Sequence, residues 1–227
     1  MKQANKAGPA VLGRLPEPRR LSAAELRTLT RESAYQIVDT RLDRNAVLGG
    51  HIPGSFYAPL NRTFPTVTGS FLNPEAPVVL LVDEGRLDEA VRDLVRIGID
   101  HVHAWAPAAL LNDVSARRLL SLASIESIDY TELERRRRQG TATILDVRGA
   151  SEHAARCIEP SINIPHTRLR VRAAELGEPD LVYVHCLSGA RASVSAVFLA
   201  RLGIHAVHVD GHFSSWRSES YEMGEAQ

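Results

Sequence analysis

Cys186 ends an apolar, β-favouring run, Val182-Tyr183-Val184-His185, and a short loop with one glycine and one arginine follows it, Leu187-Ser188-Gly189-Ala190-Arg191-Ala192. A helical pattern continues from Val194. A thiol between a strand and a helix lies beside loop N–H groups and the positive end of the helix dipole. Both favour the thiolate, which is the reactive form. We therefore predict a nucleophilic Cys186; an inert, buried structural cysteine is the alternative.

The other sulfur and imidazole groups are expected to be structural. Side chains alternate along a strand, so the ring of His185 should point away from the thiol. His208 and His212 are predicted to be structural or rim residues, and Cys157 an incidental, partly buried cysteine. No spacing among the nine histidines and two cysteines is typical of zinc, so neither a metal nor a cofactor is predicted.

Composition excludes several classes of partner. The 227 residues carry 27 basic and 27 acidic side chains, which argues against nucleic acid or a membrane surface as a partner. The run Arg135-Arg136-Arg137-Arg138 is interpreted as a solvated helix face. Two cysteines do not form a disulfide scaffold, and neither a secretory signal nor a membrane-spanning stretch is recognisable. A cytoplasmic location is the expectation.

The chain contains an internal repeat, with an offset of about 106 residues between corresponding blocks. Ile37-Val38-Asp39-Thr40-Arg41 returns as Ile144-Leu145-Asp146-Val147-Arg148, and Leu94-Val95-Arg96-Ile97-Gly98-Ile99 returns as Leu199-Ala200-Arg201-Leu202-Gly203-Ile204. We predict a leader or linker over 1–20, a first domain over 21–115 and a second over 116–227.

Each copy alternates apolar strands with helices. Ser22 and Asp129 are candidate N-caps, with Glu25 and Glu132 three residues later to complete capping boxes. Strands that are apolar throughout predict an α/β fold with a mainly parallel sheet covered on both faces.

Taken together, these motifs resemble the rhodanese family of sulfurtransferases. The resemblance rests on Leu145 to Arg148, on Ile162-Asn163-Ile164-Pro165, on the loop from Cys186 to Arg191, and on Gly50-His51-Ile52-Pro53-Gly54-Ser55 in the first copy. It implies two tandem rhodanese-like domains, each with a five-stranded sheet flanked by helices. The second copy departs from the family at Arg156-Cys157-Ile158-Glu159-Pro160, where both glycines of the Gly-His-Ile-Pro-Gly turn are missing.

The leader resembles the segment that follows the metallo-β-lactamase domain in persulfide dioxygenase–rhodanese fusions, through Asn5, Gly8-Pro9-Ala10 and Leu21-Ser22. That resemblance implies a persulfide dioxygenase of the metallo-β-lactamase fold as a candidate partner. It brings no metal site to this chain.

The resemblance implies a sulfurtransferase in which Cys186 takes sulfur from thiosulfate or a persulfide and passes it to a thiol or cyanide. The loop from Leu187 to Ala192 would surround the transferred sulfur with N–H groups. Gly189 lets the loop bend, and Arg191 either binds the anionic donor or braces the loop. Asp146 would support the loop, and Arg148 would pair with a nearby acid, for which Glu152 is the candidate.

The first copy is predicted to be catalytically silent. Asp83 stands where the repeat suggests the nucleophile, and the spacing from Asp83 to Gly98 is two residues shorter than that from Cys186 to Gly203.

Two other functions remain open. A cysteine-dependent phosphatase or arsenate reductase would also cradle an anion, but four residues separate Cys186 from Arg191 and the phosphatase pattern has five. A non-catalytic binding or regulatory module would require an inert Cys186.

Overall fold

The computed structural model describes residues 14–140 and 143–216, and the chain divides between Ala123 and Ser124 into two compact units. The predicted boundary at 115/116 falls inside a helix, Val114–Leu120, that belongs to the first unit. Residues 5 and 8–10, which carry the resemblance to the dioxygenase fusions, lie outside the described residues.

The first unit contains one parallel sheet of five strands in the order β1-β5-β4-β2-β3. The strands are β1 (Arg19–Arg20), β2 (Gln36–Asp39), β3 (Phe56–Tyr57), β4 (Val78–Val82) and β5 (Val102–Pro107). The helices are α1 (Ala23–Thr30), α2 (Arg44–Leu48), α3 (Phe64–Phe71), α4 (Leu87–Arg96) and α5 (Val114–Leu120). The predicted leader therefore ends in the edge strand β1.

The second unit repeats this arrangement, with a parallel sheet in the order β6-β10-β9-β7-β8. Its strands are β6 (Ser127–Ile128), β7 (Thr143–Asp146), β8 (Ile162–Asn163), β9 (Val182–His185) and β10 (Ala206–Val209). Its helices are α6 (Tyr130–Arg137), α7 (Ala150–Ala155), α8 (Leu169–Arg172) and α9 (Ala190–Arg201). The predicted fold class, two tandem α/β domains with parallel five-stranded sheets, is confirmed.

Local signals explain where the first helix of each copy begins. The hydroxyl of Ser22 accepts a hydrogen bond from the N–H of Glu25, and the carboxylate of Glu25 accepts one from the N–H of Ser22. The capping box of α1 is therefore complete. Asp129 also caps α6 through the N–H of Glu132. The carboxylate of Glu132 instead binds Arg135 and Arg136, so the second capping box is only half formed. Arg135 and Arg136 therefore pair with Glu132 on the surface of α6.

The strand register corrects the predicted equivalence of Asp83 and Cys186. Asp39 pairs with Leu81 in the first sheet, and the corresponding Asp146 pairs with His185 in the second. The residue that follows each partner is Val82 in one unit and Cys186 in the other. Val82 therefore occupies the position of the thiol, and Asp83 lies one residue further along. The helix after it is also shorter, with 10 residues in α4 and 12 in α9.

The direction of the connections reverses between β7 and β9. These strands are neighbours, but the chain leaves β7 toward β8 on one side and leaves β9 toward β10 on the other. Connections that diverge in this way leave a gap at the carboxyl ends of the strands, where ligands bind in open α/β sheets. Asp146 ends β7, and Cys186 follows β9. Within the described residues no helix is long and apolar enough to cross a membrane.

Candidate functional site

Cys186 lies directly after β9, and its residue is 1% exposed. Leu187, Ser188 and Ala190 around it are exposed. Gly189 adopts a φ of +81°, in the left-handed region that glycine enters without a steric cost, and it turns the chain into α9. The predicted loop residues Ala190, Arg191 and Ala192 form the first turn of that helix.

Three carbonyl groups of this loop accept hydrogen bonds from outside it. The hydroxyl of Tyr130 donates to the carbonyl of Cys186 at 2.8 Å, and the N–H of Phe213 donates to that of Leu187 at 2.8 Å. Nε2 of His208 lies 2.9 Å from the carbonyl of Gly189. By contrast, the N–H groups of residues 187–190 have no protein acceptor within residues 14–140 and 143–216. These N–H groups are therefore available to an anion.

Asp146 and Arg148 form a buried ion pair below the loop. The carboxylate of Asp146 accepts from the backbone N–H of Arg148 at 2.9 Å and from its guanidinium at Nε and Nη2. The same guanidinium donates to the carbonyl of Arg156 at 2.6 Å and lies 3.8 Å from the ring centre of Phe213. The prediction that Arg148 pairs with Glu152 is wrong, because Asp146, only two residues away, already occupies its guanidinium.

Glu152 instead pairs with Arg191. The two guanidinium Nη atoms of Arg191 donate to the two carboxylate oxygens of Glu152 at 2.7 and 2.8 Å. Arg191 lowers the pKa of Glu152 to about 2, and Glu152 in turn raises the pKa of Arg191, with a smaller contribution from neighbouring Cys186. Arg191 thus lies beside the thiol with its charge already paired.

The ring of His185 is buried among aromatic side chains. It stacks on Phe213 with ring centres 5.5 Å apart, and its Nε2 lies 3.7 Å from Asp146 with no hydrogen-bond partner among the described residues. Burial lowers its pKa to about 4, so the ring is neutral at physiological pH. These contacts agree with the expectation that His185 is structural.

The second cysteine has no activating surroundings. The sulfur of Cys157 lies 3.9 Å from the carboxylate of Glu159. Burial, and then the negative charge of Glu159, raise the pKa of this thiol. A raised pKa favours the unreactive thiol form. No cluster of His, Cys, Asp and Glu side chains within residues 14–140 and 143–216 could hold a metal ion.

The structure brings Cys186, its loop, Asp146 and Arg148 together at the carboxyl ends of β7 and β9. The sequence reasoning did not identify Tyr130 and Phe213 as contacts of the loop, and it assigned His208 no contact with Gly189. Two of these residues, Tyr130 and His208, differ in type from their counterparts in the first copy. Ala23 stands at the position of Tyr130 and Trp105 at that of His208, so the polar groups are peculiar to the copy that carries the thiol.

A family model matches most of the second unit. Residues 129–219 match the model of the rhodanese-like domain family. No curated protein matches the chain significantly.

Several solved structures are similar. A rhodanese-like domain protein from Staphylococcus aureus is 27% identical over 42% of this chain and 94% of its own, with a TM-score of 0.39. A rhodanese-related protein from Thermoplasma volcanium is 32% identical over 44% of this chain and 93% of its own, with a TM-score of 0.38. A thiosulfate sulfurtransferase from Pseudomonas aeruginosa is 19% identical over 90% of this chain and 44% of its own, with a TM-score of 0.37.

Proposed function

Because this chain belongs to the rhodanese-like domain family through residues 129–219, we propose that it is a sulfurtransferase that carries sulfur on Cys186. The observation that supports this most directly is that the N–H groups of residues 187–190, which follow the thiol in the chain, have no acceptor among the described residues. Such a group of N–H donors stabilises a small anion at the end of the cysteine side chain.

The proposed reaction has two steps. The Cys186 thiolate attacks the outer sulfur of thiosulfate or of a persulfide, a new S–S bond forms, and sulfite or a thiolate leaves with the electron pair of the broken bond. An acceptor thiol or cyanide then attacks the terminal sulfur of the Cys186 persulfide, and the Cys186 thiolate is the leaving group. Sulfur and electrons are conserved between donor and acceptor, so no external oxidant is required.

Burial of Cys186 restricts the donors. The residue is 1% exposed, whereas Leu187 and Ser188 are exposed, so we propose that the donor approaches from the loop side with a narrow sulfur-bearing end. We propose a cytoplasmic location for this reaction, where thiol acceptors stay reduced. We also propose a persulfide dioxygenase as a partner. This proposal is supported only by the resemblance of the leader to the persulfide dioxygenase–rhodanese fusions.

The paired state of Arg191 argues against phosphate-ester chemistry. Binding of phosphoryl oxygens by Arg191 would compete with Glu152, to which both Nη atoms of Arg191 donate. The loop, with four residues between Cys186 and Arg191, is also one residue shorter than the phosphatase pattern.

Mass spectrometry of the intact protein tests the proposal. After incubation with thiosulfate or glutathione persulfide, we expect a mass increase of one sulfur atom that cyanide removes. Cys186→Ser should abolish the adduct and turnover, and Cys157→Ser is the matched control that should retain both. Sulfur loading on the Cys186→Ser protein, or an unmodified wild-type protein with every donor, would contradict the proposed function.

A further inference from the structure

Tyr130 and His208 hold the Cys186 loop from behind, on the side of its carbonyl groups. Their donors come from two different parts of the second unit, the start of α6 and the strand β10, which lies next to the edge strand β6. Both side chains are buried, with exposed fractions of 3% and 0%. A hydrogen bond in such surroundings has little competition from water, so it fixes its acceptor firmly.

The contacts of His208 determine which ring nitrogen carries the proton. A carbonyl oxygen only accepts, so Nε2 must donate to Gly189. The other ring nitrogen, Nδ1, lies 2.8 Å from the hydroxyl of Ser127, which can donate to it or accept from it. The carbonyl of Gly189 therefore sets the tautomer, and Ser127 is a compatible partner for the other ring nitrogen.

Fixing a carbonyl group also fixes the next N–H group. A peptide unit is planar and trans, so its N–H points opposite to its C=O. The carbonyl of Cys186 points to Tyr130, which turns the N–H of Leu187 away from Tyr130. The carbonyl of Gly189 points to His208, which turns the N–H of Ala190 away from His208. These two N–H groups belong to the set that has no acceptor within residues 14–140 and 143–216.

The first unit shows that the sheet forms without these anchors. Trp105 pairs with Arg20 in the first sheet as His208 pairs with Ser127 in the second. Ala23, at the position of Tyr130, has no hydroxyl to donate. The first unit nevertheless has the same strand order, and Val82 stands in place of its thiol. The polar anchors therefore accompany the cysteine and are not a requirement of the fold.

We infer that Tyr130 and His208, whose ring also contacts Ser127, are positioning residues that orient the loop N–H groups for an anion at the Cys186 sulfur. This inference rests on the proposed function for its role in sulfur transfer. The orientation itself is a property of the loop that can be measured without any sulfur donor.

The experiment compares alkylation of Cys186 by iodoacetate, which is anionic, with alkylation by iodoacetamide, which is neutral. The full chain carries Cys157→Ser so that only Cys186 reacts. Oriented N–H groups accelerate the anionic reagent selectively, so the ratio of the two rates reports the orientation. A general loosening of the protein would change both rates together.

Tyr130→Phe removes one hydroxyl, and His208→Leu removes the second anchor. Each should lower the iodoacetate-to-iodoacetamide ratio by about three- to tenfold, the effect of one net hydrogen bond. Sulfur loading from thiosulfate should slow by a similar factor. His208→Gln, whose amide can still donate to Gly189, should restore most of the ratio. Tyr57→Phe is the matched control, because it removes the hydroxyl of a buried tyrosine in the first unit.

The outcomes separate the inference from the proposed function. Variants with wild-type ratios would overturn the inference even if the wild-type protein transfers sulfur. A fall in both alkylation rates together, without rescue by His208→Gln, would also overturn it. A lowered ratio in a protein that never accepts sulfur would refute the sulfurtransferase proposal and leave the positioning role intact.

Discussion

At the scale of single residues, the pairing of Arg191 decides what this side chain can contribute. Its guanidinium is shared with Glu152 in two parallel hydrogen bonds, and the N–H of Gly149 donates to the same carboxylate at 2.9 Å. Glu152 therefore ties the first turn of α9 to the turn before α7. We interpret Arg191 as a brace of the loop rather than as the principal ligand of the donor.

This interpretation predicts the kinetics of substitutions at the pair. Arg191→Ala and Glu152→Gln should each slow both half-reactions, sulfur loading from thiosulfate and transfer to cyanide. The double variant should be only slightly slower than the slower of the two single variants. The coupling free energy of unfolding should be about 1 kcal/mol, because both side chains are partly exposed. A raised KM for thiosulfate in Arg191→Ala, with an unchanged acceptor step and a normal Glu152→Gln, would instead assign donor binding to Arg191.

The buried ring of His185 predicts a pH dependence of stability. The unfolded chain takes up a proton near pH 6.5 and the native ring only near pH 4, so protons favour the unfolded state between these values. The free energy of unfolding should fall by up to roughly 3 kcal/mol as the pH drops from 6.5 to 4. Below pH 4 the titration of His185 should cause no further loss. Urea unfolding at several pH values measures it. His185→Gln should flatten the slope, and His205→Gln, at an exposed position of the same unit, should not.

At the scale of elements, the same strand–loop–helix connection has two forms in one chain. In the second unit it runs from the buried Cys186 through Gly189 into a 12-residue helix. In the first it runs from Val82 through the exposed Asp83 and a tight 3-10 turn, Glu84–Arg86, into a 10-residue helix. Two carboxylates now stand where the active copy has Leu187 and Ser188, and negative charge there opposes an anionic sulfur.

We therefore predict that the first copy does not recover activity when a thiol is restored. Val82→Cys in a Cys186→Ser background should give no sulfur adduct and no turnover, and Asp83→Cys should also be inactive. The reason is that Asp83 and Glu84 place negative charge in the connection, and that Ala23, in place of Tyr130, has no hydroxyl to anchor a carbonyl group there. Val82→Cys with Cys186 intact is the folding control and should keep the wild-type rate. A sulfur adduct on the thiol introduced by Val82→Cys would show that only the nucleophile had been lost.

At the scale of the whole molecule, one topology serves two different roles. Each unit has its own buried core, built around Leu26, Val79 and Leu81 in the first and around Leu133, Tyr183 and Val207 in the second. The buried Asp-Arg pair after the second strand also recurs, since Arg41 binds Asp39 and the carbonyl of Gly50 as Arg148 binds Asp146 and that of Arg156. That pair therefore belongs to the fold, whereas the thiol and its anchors belong to one copy.

The sequence alone determined the repeat, the parallel α/β fold and the placement of Cys186 between a strand and a helix. These features depend on signals that act over a few residues, such as apolar runs, the capping serine at Ser22 and the turn glycine at Gly189. Only the tertiary structure decided that Glu152 binds Arg191, that Val82 is the counterpart of Cys186, and that Tyr130 and His208 hold the loop. The contacts of Glu152, Tyr130 and His208 join segments of the second unit that meet only after the crossover connections have set the strand order, and the counterpart of Cys186 follows from the strand register.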